Sequence, residues 1–147
     1  MLDLPRQPGT YVLFVRLDNP CAISVGRRGT AALEPGLYAY TGSALGPGGL
    51  AARIDRHLRR NKRPHWHIDG LTTAAPVTAL WWHEGPHRLE CQWAAALGAG
   101  PGTVVPVPRF GASDCRCPAH LFRVAPSALP HLWDVVGRPA WLDLLYT

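Results

Sequence analysis

Three groups of side chains have types and spacings that could do chemistry. The first is basic: across residues 50–60, Arg53, Arg56, His57 and Arg60 project as a contiguous stripe beside an apolar one of Leu50, Ile54 and Leu58. This stretch follows Gly46-Pro47-Gly48-Gly49, and a Gly-rich turn leading into a helix N-terminus makes a ready anion site. Arg53 stands in the first turn, where a cation opposes the helix macrodipole and adds nothing to helix stability, so its placement points to a phosphate. The plainer alternative is a solvated charged face. The second is Glu90, which falls among Trp93, Ala94 and Leu97 on the apolar face of a predicted helix. A carboxylate there must be paired, protonated or metal-bound, unless the turn frays and leaves it in solvent. The third is a tyrosine pair, Tyr11 in Gly9-Thr10-Tyr11 and Tyr40 in Tyr40-Thr41-Gly42. Tyrosines in strands are usually packing residues, so the pair says little alone.

These groups need elements to hold them. Residues 9–17 are rich in β-branched and aromatic side chains after Pro8-Gly9 and predict a first strand, with residues 21–25 and 37–41 as further strands and a turn over 26–29. Together they suggest one antiparallel sheet. Residues 50–60 predict an amphipathic helix, 77–82 a strand, 86–97 a helix with Pro in its first turn, and 120–124 a late strand. Residues 128–147, with Leu129, Leu132, Trp133, Val136, Trp141, Leu142 and Leu145, read as a helical cap broken at Pro139.

A length of 147 residues is one domain's worth, and a composition 47% hydrophobic and 17% charged excludes a disordered chain. The apolar run from Tyr11 to Val15 ends at Arg16, well short of a membrane span, and Asp3 makes a poor signal-peptide start. A cytoplasmic location is the default expectation. Cys21, Cys91, Cys115 and Cys117 are too few and too irregular for a disulfide framework, so reduced thiols or metal ligands are expected.

Taken together, Gly-x-Tyr, Tyr-x-Gly, an Arg with His four residues later on a helix, and a downstream Glu on another helix resemble the GIY-YIG nuclease family. More specific blocks, Tyr38-Ala39-Tyr40-Thr41-Gly42-Ser43-Ala44, Arg53-Ile54-Asp55-Arg56-His57, His65-Trp66-His67-Ile68-Asp69, Glu90-Cys91 and residues 110–117, resemble one branch of it. That branch was long a domain of unknown function and is also found joined to DNA glycosylases of the endonuclease III type. The resemblance covers a core of about residues 9–98, with 99–147 as a C-terminal extension of a single domain spanning 1–147. It implies an α/β (α+β) fold, a small antiparallel sheet flanked by helices, and hydrolysis of DNA phosphodiester bonds with one Mg²⁺ or Mn²⁺. By the same resemblance Glu90 holds the metal, Arg53 steadies charge on phosphorus, Tyr11 is the general base, Tyr40 is the second motif tyrosine, and His57 lies near the nucleophile. Gly9 and Gly42 are its structural glycines. Such chemistry needs a metal and a guanidinium because phosphate esters resist anionic attack. A tyrosine, with an ordinary pKa of about 10, acts as base near neutrality only with help from the metal, Arg53 or His57. Residues 18–36 form a longer insert between the motif strands than is usual in the superfamily, and it could hide or reshape the active face.

Cys115-Arg116-Cys117-Pro118-Ala119-His120, with Cys91, offers four possible zinc ligands, but Cys-x-Cys-x₂-His is not a standard zinc spacing. Thiols buried behind the active site are the favoured reading, and structural Zn²⁺ the less favoured one. His65, His67 and Asp69 share one side only if extended, so a structural turn with Trp66 packed is favoured over a metal triad.

The expected partner is DNA, single-stranded, damaged or branched, with no membrane; the sequence does not give the oligomeric state. Residues 53–63 hold six basic residues against one acid, Asp55, and so carry the whole net charge of +5. Ser43, Arg56, Arg59, Arg60, Lys62 and Arg63 are the expected DNA contacts. The competing reading is a non-catalytic nucleic-acid-binding domain using the basic helix with Trp66, Trp81 and Trp82 as stacking platforms. A third is a zinc-stabilised protein-interaction domain.

Overall fold

The computed structural model describes residues 2–144. Among the described residues the chain runs β1 (Gly9–Leu17), β2 (Cys21–Ser24), β3 (Thr30–Leu33), β4 (Gly36–Ala44), α1 (Gly49–Leu58), α2 (Ile68–Ala74), β5 (Val77–Glu84), α3 (Glu90–Gly98), β6 (Leu121–Val124), α4 (Leu129–Val135) and β7 (Ala140–Asp143). This is the mixed α+β architecture expected. The β-branched and aromatic run of β1 is buried at every position but Arg16, which suits the central strand of a sheet covered on both faces. That sheet is antiparallel, ordered β6-β4-β1-β5-β7.

Alternation along the strands sends each side chain to one of two cores. Tyr11, Leu13 and Val15 of β1 join Tyr38 and Leu80 under α1 and α2, packed on Leu50, Ile54, Ile68 and Leu71. Val12 and Phe14 join Ala39, Trp81 and Phe122 under α3 and α4, packed on Trp93, Leu97 and Leu132. Two glycines allow close approach. Tyr11 pairs with Gly42, where a Cβ would fall 2.5 Å from the Tyr11 hydroxyl. At Gly9 a Cβ would strike the His83 carbonyl and Leu50, so α1 could not settle on the start of β1.

Four expectations are corrected. β2 does not join the main sheet: β1 already has β4 and β5 as neighbours, so the insert closes on itself as a β2-β3 hairpin whose Ile23 packs on α2 at Gly70. The N-terminus of α1 is not an open anion site, because Leu50 N–H donates to the Gln7 carbonyl and Ala51 N–H to the Pro5 carbonyl. α3 begins at Glu90, not at Pro86, since residues 85–89 are pinned as a turn by Gly85 N–H on the Pro8 carbonyl and Leu89 N–H on Thr10 Oγ1. The C-terminal cap is helical only to Val135; after Gly137 (φ 95°) the chain pairs along the free edge of β5 as β7. Leu145 lies outside the described residues. Among the described residues no helix is long and apolar enough to cross a membrane.

One feature of the sheet positions the site. Of β4, β6 covers Leu37–Tyr40 alone, so the last residues of β4 outrun this neighbour and leave a notch. Thr41 N–H reaches the His120 carbonyl there, and elements from both faces converge on it.

Candidate functional site

At this notch lies a cleft of about 400 Å³. α1 brings Arg53 from one face of the sheet, and α3 brings Glu90 from the other. Tyr40 of β4 lines it, as do His65, Trp66 and His67 from the segment before α2. The insert contributes Arg28, which donates to the Pro108 carbonyl, and the loop before β6 contributes Arg109, Phe110, Ser113 and Asp114. The insert therefore reshapes the face by adding a cation to its rim.

Ser43 joins the two sides. Its hydroxyl donates to Glu90 Oε1 at 2.6 Å, while its carbonyl accepts from Arg53 Nη1 at 3.0 Å. Glu90 Oε2 stands 2.5 Å from His120 Nδ1, a close contact of carboxylate and imidazole. Partial burial works to raise the Glu90 pKa, but His120 and Ser43 outweigh it and hold the carboxyl below its ordinary value. Glu90 is thus ionised at neutral pH and also sits at the first turn of α3, where the macrodipole favours an anion. Of the alternatives open to a carboxylate here, the structure has the paired one.

Arg53 is held flat as well as tethered. Its guanidinium lies 4.6 Å from the centre of the Trp66 ring, and that of Arg56 lies 4.5 Å from it. Trp66 is fixed in turn by Asp69, a fully buried carboxylate that accepts from the His65 and Trp66 amides and from both Arg56 terminal nitrogens. Burial would raise the Asp69 pKa; the Arg56 hydrogen bonds and the two amides win and push it well below the ordinary range. The 65–69 segment is accordingly the structural turn with Trp66 packed, and His65, His67 and Asp69 do not form a ligand set.

Behind the cleft wall lies a second pair. Tyr11 Oη and His57 Nε2 are 2.8 Å apart, both residues almost wholly buried. Burial and the nearby Tyr40 raise the Tyr11 pKa, against an opposing pull from Arg53. Burial first, then Lys62, pushes His57 down to about 3, so the imidazole is neutral. Its Nδ1 has no hydrogen-bond partner among the described residues. Of the two motif tyrosines, Tyr40 faces the cleft and Tyr11 lies beneath it.

Several expected DNA contacts are spent inside the protein. Ser43 is occupied by Glu90 and Arg53, and Arg56 by Asp69. Lys62, only 4% exposed, caps α1 by donating to the Arg56 and His57 carbonyls and to Thr72 Oγ1. His57 leaves the predicted basic stripe for the core. Arg59, Arg60 and Arg63 remain exposed, Arg60 donating to the Thr73 carbonyl. Trp81 is buried against Phe14, and Trp66 faces two guanidinium groups, so neither is an open stacking platform.

The cysteines also differ from expectation. Cys91, Cys115 and Cys117 are half-buried and, with His120, place one ligand atom each within 4.8 Å of one another, a cluster that could hold a metal ion. They are not thiols sealed behind the site. Reasoning from sequence missed the second role of His120, its contact with Glu90; nothing in the spacing signals it. It also missed Asp69 as the anchor of Trp66, for which an acid two residues beyond His67 was a faint signal.

The family described as "Domain of unknown function DUF123" matches over residues 10–136. No curated protein and no solved structure matches the chain.

Proposed function

The chain belongs to the DUF123 family, and from the geometry of its cleft we propose that it is a GIY-YIG-type endonuclease hydrolysing DNA phosphodiester bonds with one divalent cation, Mg²⁺ or Mn²⁺. The observation that carries this reading is the meeting at Ser43 of Arg53 and Glu90, brought by helices from opposite faces of one sheet. A guanidinium and an ionised carboxylate held in one cleft are what a phosphodiester and a cation require.

Glu90 would hold the cation: it is ionised, rigidly oriented and part of the cleft wall. When bound, the cation would neutralise phosphoryl oxygen charge and assist the leaving group. The remaining roles fall to side chains already in place. Arg53, fixed by Trp66 and the Ser43 carbonyl, covers the oxygens opposite Glu90 without rearranging. Tyr40, at the wall, orients the attacking water. Tyr11 takes the water's proton only as its own O–H proton passes to His57 Nε2. That relay is brief, since burial and Lys62 disfavour an imidazolium. The exposed Arg59, Arg60 and Arg63 track the flanking backbone.

The test is incubation with labelled single-stranded, duplex, flap and nicked DNA in Mg²⁺ or Mn²⁺, beside Glu90→Ala and Arg53→Ala. Metal-dependent cutting by the wild type, lost in both variants while binding persists, is expected. Binding without cutting in any of these would mark a non-catalytic module.

A further inference from the structure

We propose that Cys91, Cys115, Cys117 and His120 form a structural zinc site whose histidine, through its second ring nitrogen, sets the position of Glu90. Zinc in such sites takes four ligands, commonly three thiolates and one imidazole. The four ligand atoms lie within 4.8 Å of one another. A tetrahedron with Zn–S of about 2.3 Å has edges of about 3.8 Å, so they need close by only about 1 Å.

The surroundings are built for it. Arg109, in a left-handed conformation (φ 65°), donates from its guanidinium to the Ala112, Cys115 and Cys117 carbonyls. The loop is further closed by Arg109 N–H on the Pro118 carbonyl and His120 N–H on the Phe110 carbonyl. The thiols are thereby presented together by a backbone that is already folded. Cys91 comes from the first turn of α3, so zinc would tie this helix to the loop and to the start of β6.

His120 is where structure and chemistry join. Its Nε2 faces Cys115 Sγ at 3.4 Å, and its Nδ1 faces Glu90 Oε2 at 2.5 Å. Zinc on Nε2 obliges Nδ1 to carry the proton and point it at the carboxylate, the outer-shell arrangement common around metal-bound histidines. Binding releases the thiol protons to solvent. His120 is thus a positioning residue, acting through Glu90. The consequence for catalysis rests on the endonuclease reading; the zinc site does not.

The test uses the full chain purified under reducing conditions, without DNA. One zinc per chain is expected, falling to near zero in Cys115→Ser/Cys117→Ser. Substitution of Co²⁺ into the wild type should give the visible bands of tetrahedral thiolate ligation. Absence of zinc after zinc-supplemented expression, zinc retained in the double variant, or Co²⁺ without such bands would overturn the site. His120→Cys should keep zinc yet bind Mn²⁺ about 10- to 100-fold more weakly than the wild type, while Glu90→Gln should keep zinc in full. Unchanged Mn²⁺ affinity in His120→Cys would overturn the positioning role. Wild type that holds zinc but no Mn²⁺ would support the zinc site and count against the endonuclease reading alone.

Discussion

The two faces of the sheet are made by the same strands on different terms. Toward α3 and α4 the packing is apolar, with Phe14, Trp81, Trp93, Leu97 and Leu132, and the buried polar residues there are Thr10, Thr41, Ser43 and His120. Toward α1 and α2 the core also holds Tyr11, His57, Asp69 and Thr72. A buried polar group costs free energy unless paired. Tyr11 is paired with His57, and Asp69 with Arg56, two amides and Lys62. These pairings lead through Trp66 to Arg53 and through Tyr11 to the underside of the cleft. Both faces deliver a charged group to the cleft, Glu90 from the α3 side and Arg53 from the α1 side, but only the α1–α2 side buries an ion-paired carboxylate, Asp69, within its core.

The sharpest way to break this contrast is to damage both faces equally. Trp93→Ala should cost about 3–5 kcal/mol through the cavity it leaves, and Asp69→Ala about as much by stranding Arg56 and Lys62. Urea unfolding checks both costs. At a temperature where both variants are folded, only Asp69→Ala should also lose cleavage, because it alone releases Trp66 from Arg53. Equal activity in the two would erase the division between the faces.

Next in size, Arg53→Ala should slow the chemical step about 10²- to 10³-fold, roughly 2.7–4 kcal/mol, measured in single-turnover cleavage at saturating DNA. Trp93→Ala should leave that rate unchanged.

A smaller effect comes from pH. His57, pushed down to about 3 in the folded protein, takes up a proton on unfolding once pH falls below about 6.5. The unfolded state then binds more protons, so stability present at neutral pH is lost as pH drops. The loss from this group between pH 6.5 and 4.5 should be about 2 kcal/mol by denaturant titration, and His57→Gln should flatten it. Asp69, held low, adds its own loss only below about pH 4.

The smallest expected effect is that of Arg59→Ala/Arg60→Ala. The slope of binding against log salt should fall by about 2, with single-turnover cleavage at saturating DNA unchanged.

Much of this frame is legible in the sequence because local pattern dictates it. The alternation of β1 and the spacing of Leu50, Ile54 and Leu58 predict their elements directly. The motif residues Arg53, Tyr40 and Glu90 are legible too, and they line one cleft. What failed is what depends on neighbours distant in the chain. Whether β2 joins the sheet turns on β1 having no free edge, and whether residues 140–143 form a strand turns on β5 having one. The charge of the basic helix misleads for the same reason: Arg56 and Lys62 look free until Asp69 folds against them, while Arg28 reaches the cleft from the insert.

On the proposed function, Glu90, held ionised at the cleft wall, is the carboxylate of a phosphodiester-cleaving site. The most direct test is single-turnover cleavage of labelled single-stranded, flap and nicked DNA in Mg²⁺ or Mn²⁺, wild type beside Glu90→Gln. The wild type should cut at least one of these DNAs. The variant should fold and bind alike yet cut at least about 10²-fold more slowly. A wild type that cuts none of them in either cation, or a Glu90→Gln protein that cuts as fast as the wild type, would contradict the account.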